Sequence, residues 1–225
     1  MKQEEIINMF DGIASNYDLV NKVVSFGIDK RWRQKTIKET LKYTQPKKVL
    51  DIACGTGDMI EIWQTYDVEI CGIDPSKEML KIAQKKFPNV KFYNLFATNL
   101  DEIENSCADV ISISFGIRNV VDIKKAINEF YRVLDEDGIL VILEFTKSKQ
   151  FLRKFVDVYT NKVLPKIGGI LSNNEKAYKY LSKSIENFYT TQELIKLFEN
   201  ENFILVKEKS FNFGQVSLII LRKKS

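Results

Sequence analysis

The sequence has no histidine among its 225 residues. That absence removes the Ser–His–Asp triad, the Cys–His pair and every histidine-containing zinc site. Proton transfer near neutral pH is left to carboxylates, tyrosine, lysine, cysteine, a substrate group or water. Cysteine is scarce: Cys54, Cys71 and Cys107 are the whole set, with no CxxC spacing. A sparse, odd set points to a reducing compartment and away from a disulfide framework. No apolar run approaches the ~18 residues of a membrane span. The opening MKQEEIINMF carries acids where a secretory leader has basic residues, so a cytoplasmic protein is expected. Low-complexity tracts and fixed-period repeats are missing too. The net charge is only +4, from dispersed lysines without a basic block, so nucleic acid is not an expected partner.

What is present describes a globular chain, 44% hydrophobic and 28% charged. Its length suits one domain with an insertion and a core that needs no staples. The N-terminal part holds a polar stretch and then WRQKTIKETLKY, where Trp32, Ile37 and Leu41 follow helical spacing. From residue 46 the pattern changes. KKVLDIA, VEICGID, VKFYNLF, ADVISISFG and GILVILEF read as strands, and DMIEIWQTY, PSKEMLKIAQKKF and VDIKKAINEFYRVL as the helices between them. Such alternation predicts an α/β fold, a mostly parallel sheet with helices on both faces. Pro75 suits the first turn of its helix. After Phe145 the alternation stops, and about 147–188 reads as a helical, aromatic and lysine-rich insertion. TTQELIKLFENENF then resumes as a helix capped by Thr190 or Thr191. FILVKEKSF and GQVSLIILRK close the chain as an antiparallel hairpin.

In such a sheet the ligand lies beyond the carboxyl ends of the strands. Strand one ends in Asp51-Ile-Ala-Cys-Gly55-Thr56-Gly57, and the two glycines let the backbone turn tightly and approach a ligand. Strand two ends in Asp74, 19 residues after Gly55, the distance at which an acid reaches the ribose of an adenosine ligand. Strand three ends near Phe96 and Ala97; strand four ends in Ser114 and then Arg118–Asn119. Two ligand classes suit this frame, S-adenosylmethionine and NAD-type dinucleotides. Ile60 where a third glycine would stand, and the acid Asp51 before the loop, favour the former. The plainer alternative is an ordinary turn at GTG and a helix cap at Asp74. Cys54, beside a helix start, is either a thiol of lowered pKa or a small packing residue. The segment SFGI occurs twice, at Ser25–Ile28 and Ser114–Ile117, with unlike flanks that argue against duplication.

The run VLDIACGTGD…GIDPSKEML resembles the class I S-adenosylmethionine-dependent methyltransferases. Two longer runs, MFDGIASNYDLVNKVVSFGIDKRWR and ISISFGIRNVVDIKKAINEFYRVLDEDGILVILEF, resemble the signatures of the ubiquinone/menaquinone biosynthesis C-methyltransferase family. YTNKVLPKIGGILSNNEKAYKYLSKSI is similar to that family's insertion before the last helix. The resemblance implies a Rossmann-like seven-stranded sheet with an antiparallel last strand. It also implies a 1–45 helical segment covering the substrate, and a 46–225 methyltransferase domain. The implied reaction is methyl transfer to a ring carbon of a polyprenylated quinol, demethylmenaquinol first and a benzoquinol second. The cofactor is S-adenosylmethionine, and no metal is needed. Cofactor contacts carry over to Thr56, Asp74, Phe96, Ala97 and Ser114, beside Asp51, Gly55 and Gly57 from the loop itself. The chain departs from the pattern at Ala53, where a glycine is usual, at Phe96, where Asn or Asp is usual, and at Asp137–Gly138, where Pro-Gly is usual.

Ring methylation needs an electron-rich quinolate and in-line approach to the methyl group. Arginine is no ordinary base, its pKa exceeding ~12. Arg118 is therefore expected to stabilise the phenolate and hold a water that takes the proton, with Asn119 orienting that water or the other ring oxygen. Tyr17 and Asp11, with Asp18, are candidates to complete the polar network; the bland alternative for Arg118 is a surface ion pair. FLRKFVDVYTNKVLPKIGGIL either lines a channel for the prenyl tail, rests peripherally on a membrane surface, or packs as an ordinary helix. Expected partners are the lipid-tailed quinol and, for a homo-oligomer, a second copy. Remaining alternatives are another small-molecule or lipid methyltransferase, a non-catalytic quinone- or cofactor-binding subunit, and an NAD-dependent oxidoreductase.

Overall fold

The structure, a computed structural model, describes residues 2–25, 27–147 and 175–224. The strands are β1 (Lys48–Ile52), β2 (Glu69–Ile73), β3 (Lys91–Tyr93), β4 (Ala108–Ser114), β5 (Leu134–Phe145), β6 (Phe203–Phe211) and β7 (Val216–Lys223). They form one sheet in the order β3-β2-β1-β4-β5-β7-β6, with β7 antiparallel to both neighbours and the other adjacent pairs parallel. The reversed last strand and the closing hairpin agree with expectation. β7 enters between β5 and β6 and leaves β6 at the edge.

The central strands are apolar throughout because both faces are covered. On one face Leu50, Ile52, Ile111 and Ile113 pack against α6 (Ile123–Val133) and α8 (Thr191–Glu199). On the other, Val49, Val110, Val141 and Leu218 meet α3 (Ile28–Thr40), α4 (Asp58–Trp63) and α5 (Lys77–Lys86). Trp63, Phe130 and Phe198 are fully buried anchors of this packing.

Several local expectations are refined. The polar N-terminal stretch is helical: α1 (Gln3–Ile13) and α2 (Tyr17–Ser25) precede α3. Pro75 stands before α5 rather than in its first turn, because Ser76 takes the cap, its hydroxyl accepting the Met79 N–H. Thr190 caps α8 in a reciprocal box with Glu193. β3 stops at Tyr93, since the Asn94 side-chain amide turns to donate to the carbonyls of Asp74 and Pro75. Asp137, at φ 59°, lies within the register shift where β5 bulges beside β4. The stretch 148–174, most of the expected insertion, lies outside the described residues; its tail is the helix α7 (Glu175–Glu186). Among the described residues no helix is long and apolar enough to cross a membrane.

The loop between β3 and β4 carries Phe96 and Ala97, and Arg132 of α6 holds its far end. The guanidinium donates to the carbonyls of Leu100 (2.8 Å) and Ile103 (2.9 Å) and pairs with Glu129, which accepts the Leu100 N–H. Lysine cannot reproduce this forked donation. Arg132→Lys should lower stability by about 1–2 kcal/mol. It should also speed amide exchange at Leu100 and Ile103, measured by hydrogen–deuterium exchange, while leaving central-strand amides protected.

Candidate active site

The connections diverge at the β1/β4 junction, where β2 and β3 build one wing and β5, β7 and β6 the other. A crevice must open at the carboxyl ends there. The cleft encloses about 730 Å³, part of it open to solvent, within the range of small-ligand sites. Its floor is Asp51, the Ala53–Thr56 loop, the Asp74–Ser76 turn and Ser114–Gly116; its roof is Gln3, Ile6, Ile7, Phe10, Tyr17 and Arg33.

The N-terminal helices are tied to the strand-end loops. Gln3 exchanges hydrogen bonds with the Asn119 carbonyl and the Val121 N–H, both 3.0 Å. Asp11 accepts from the Ser76 hydroxyl (2.5 Å) and the Glu78 N–H. Asp18 accepts from the Thr56 hydroxyl (2.5 Å) and pairs with Lys86. Asp11 and Asp18 thus hold the cover down, and neither lines the cleft.

Asp74 joins the two loops: its carboxylate accepts the N–H of Gly55 and of Ser76, each at 2.8 Å. Asp51 is 1% exposed and accepts the Ser112 hydroxyl at 2.7 Å. Burial dominates both acids, raising Asp51 to about 7 and Asp74 to about 6, against hydrogen bonds that pull each down. Gly55, at φ 55°, leaves open space where a Cβ would stand, so its backbone is bare toward the cleft. Gly57 faces away, its missing Cβ giving room to Phe87. Ser114 lines the cleft with a buried hydroxyl that has no partner among the described residues. Such an orphan oxygen, two acids and bare backbone suit a cationic, hydroxyl-rich ligand.

Phe96 and Ala97 are placed differently. Phe96 is 40% exposed, Ala97 is packed in the core, and neither lines the cleft. Burial pushes the Cys54 thiol well above its ordinary value, so the packing alternative holds and the activated thiol does not.

Arg118 is also displaced from expectation. Its side chain is 5% exposed and pairs with Glu144, which is fully buried; its Nε donates to Ser184 at 2.9 Å. The ion pair is therefore neither at the surface nor on the cleft wall. Burial raises Glu144 while the Arg118 charge opposes it. Asn119 does line the cleft; its Oδ1 accepts the Tyr180 hydroxyl at 3.0 Å, and among the described residues its amide nitrogen has only a 3.5 Å contact with the Phe115 carbonyl. Tyr17 lines the cleft too, raised by burial and drawn back by a hydrogen bond with Asn21 and by the charges of Arg33 and Arg118.

Four participants escaped the sequence reading. Glu144 is the lone acid inside the apolar run GILVILEF. Arg33 stands four residues before the buried Ile37, a charge on the apolar stripe of its own helix. Both misfits were readable signals. Tyr180 and Ser184 of α7 carry no such mark.

Ala53 explains its own departure from the glycine pattern. It adopts φ 54°, and a Cβ at Gly116 would lie 2.5 Å from the Ala53 Cβ. One methyl group fits between these loops, contributed by residue 53. Gly116→Ala should therefore cost about 1–3 kcal/mol. The double variant Ala53→Gly/Gly116→Ala should recover most of it, as a thermal-melt double-mutant cycle would show.

Comparison with known proteins identifies the lineage. The model of the ubiE/COQ5 methyltransferase family matches residues 1–223. The chain is 48% identical to the ubiquinone/menaquinone biosynthesis C-methyltransferase UbiE of Campylobacter jejuni, with 99% of each covered. It is 37% identical to a demethylmenaquinone methyltransferase of Thermotoga maritima, over 93% of this chain and 92% of that one. Among solved structures, a SAM-dependent methyltransferase from Thermotoga maritima superposes with a TM-score of 0.70 at 21% identity, over 97% of this chain and 100% of that one. The chain belongs to the ubiE/COQ5 methyltransferase family.

Proposed function

We propose that this protein is an S-adenosylmethionine-dependent C-methyltransferase that methylates the ring of a polyprenylated quinol, demethylmenaquinol in the first place. The observation that carries this reading is the pair of buried acids, Asp51 and Asp74, spaced along one cleft in a chain of this family. Two acids suit a ligand with a positive end and a ribose, and repel a pyrophosphate. When bound, S-adenosylmethionine supplies an electrophilic methyl group on a positive sulfur. Asp74, the Gly55 backbone and the Ser114 hydroxyl would hold the nucleoside part, and Asp51 the ammonium end. Ile6, Ile7 and Phe10 of α1 would exclude water above it.

The residues at the end of β4 would serve the quinol. The Asn119 amide, with its oxygen already occupied by Tyr180, is left to donate toward a ring oxyanion. Arg118 would act from behind, its guanidinium favouring the anion while Glu144 fixes its position. Water and the cleft-lining carboxylates are the proton acceptors available, since burial raises Tyr17 and keeps its phenol protonated. A tailed quinol resides in a bilayer, so the chain would work against a membrane surface; the stretch 151–171 considered for that contact lies outside the described residues.

Radiolabelled methyl transfer should proceed with short-tailed demethylmenaquinol and be compared with its benzoquinol counterpart; transfer to neither would end this reading. Arg118→Lys should lower kcat by about 10–100-fold with the Kd for S-adenosylmethionine unchanged. Cofactor affinity should also follow pH. Below about 6 both acids are protonated and neutral; above about 7 both are ionised and attract a cation. The Kd from calorimetry should thus weaken by about 10-fold or more between about pH 8 and about pH 5.5. Asp51→Asn should flatten most of that slope.

A further inference from the structure

Two residues of α7 meet the turn that follows β4. Tyr180 and Ser184 lie four apart, so they share one face of their helix. They reach consecutive residues of the turn. The Tyr180 hydroxyl donates to Asn119 Oδ1 at 3.0 Å, and the Ser184 hydroxyl accepts the Arg118 Nε–H at 2.9 Å. Ser184 spends its own proton within its helix, on the Leu181 carbonyl at 2.8 Å. Tyr180 keeps a proton to give Asn119, because burial raises its phenol above the ordinary value.

The main chain of the same residue is held from another helix. Gln3 of α1 donates to the Asn119 carbonyl and accepts the Val121 N–H, both at 3.0 Å. What is left to be chosen is the sense of the Asn119 side-chain amide. Its two ends are close in size and opposite in hydrogen bonding. In the observed sense the oxygen meets the Tyr180 proton and the nitrogen meets the Phe115 carbonyl at 3.5 Å. Turned over, the oxygen would face that carbonyl, acceptor against acceptor. The Phe115 contact is long, so the Tyr180 hydroxyl carries most of the choice. With Oδ1 taken, Asn119 offers the cleft an N–H. An N–H suits a ring oxygen without a proton, whereas an amide oxygen would hold a hydroxyl in its protonated form.

We propose that Tyr180 is a positioning residue for the methyl acceptor: it sets the sense of the Asn119 amide, and so makes that end of the cleft select a ring oxygen that has lost its proton. This rests on the quinol reading above. The selection bears on rate, because a quinol that keeps its proton is the poorer nucleophile at carbon.

The test is a double-mutant cycle on radiolabelled methyl transfer to short-tailed demethylmenaquinol, with Tyr180→Phe and Asn119→Ala. Tyr180→Phe should lower kcat by about 10–30-fold, change KM by less than about 3-fold and leave the Kd for S-adenosylmethionine unchanged. In the Asn119→Ala protein the same change should cost no more than about 2-fold, since the group it acts through is gone. Losses that multiply independently would mean that Tyr180 only packs α7, and would overturn the proposal. A second measurement uses short-tailed demethylmenaquinone, whose ring oxygens accept hydrogen bonds and cannot donate them. Bound to wild-type protein, it should show one ring carbonyl stretch lowered in the infrared relative to apolar solvent, and Tyr180→Phe should remove that lowering. Failure of the quinone to bind wild-type protein, or an unshifted stretch, would overturn the proposal without any variant having to fold. Wild-type transfer to neither demethylmenaquinol nor its benzoquinol counterpart would instead overturn the quinol reading, and this role with it.

Discussion

Everything at this site follows from burying negative charge at the carboxyl edge of the sheet. Asp51 and Asp74 are taken out of water where the strand order diverges, and burial pushes both upward, against their hydrogen bonds. An acid raised on folding binds its proton more tightly in the folded state. Its contribution to stability is full below about 3.8, the unfolded value, and is lost as pH rises through the folded one, about 6 for Asp74 and about 7 for Asp51. The ligand-free fold therefore carries electrostatic strain at neutral pH. The core tolerates it because the surrounding strands are apolar on both faces and fully buried. A cationic ligand relieves the same strain, so binding and folding draw on one interaction.

A second buried charge lies beyond the first. Arg118 and Glu144 neutralise each other under α7, with Ser184 on the remaining guanidinium edge. The pair fixes the turn that carries Asn119, because the Arg118 N–H also donates to Glu144 at 3.2 Å. In a chain without histidine, the side chains of this cleft raised into the range of pH 6 to 7 are the buried acids Asp74 and Asp51, and the Asp51–Asp74 end is given to the cofactor. For the substrate, the oriented dipole of this neutral pair, beside a tyrosine and an amide, would lower the cost of an anion instead of ferrying its proton.

The sheet was readable because doubly buried parallel strands announce themselves as unbroken apolar runs, and because Gly, Pro and Asp mark their ends. The cover was not. Ile6, Ile7 and Phe10 have a ligand cleft for a partner rather than a core, so the helix carrying them reads as polar. The extent of β3 was hidden for a similar reason: the apolar letters of VKFYNLF continue, but Asn94 spends its side chain on the β2 turn and ends the ladder. At the site, Asp51, Gly55, Thr56, Asp74, Ser114, Tyr17 and Asn119 meet around one cleft. The positions taken for Phe96, Ala97, Arg118 and Asp11 needed three-dimensional neighbours that no local pattern reveals. Glu144 and Arg33 were visible as charges misplaced in apolar stripes, and a buried charge is informative because it must have a partner.

The two SFGI segments show how sequence and site connect. They share no repeat structure: Ser25 ends α2 and Ile28 opens α3, whereas Ser114 ends β4. Yet they meet through one chain of contacts. The Ser25 hydroxyl donates to Asp29, Asp29 accepts from Arg33, and the Arg33 guanidinium lies over Phe115 of the second segment. The first segment thus steadies the arginine, and the second provides the surface it rests on. Phe115 can hold that place only with φ 58°, a conformation that costs a non-glycine residue ~1–3 kcal/mol and is sustained by the ladder around it. Strain in the strand end and charge in the cover therefore converge on one guanidinium, which is why a helix outside the sheet is part of the ligand cleft rather than a lid laid over it.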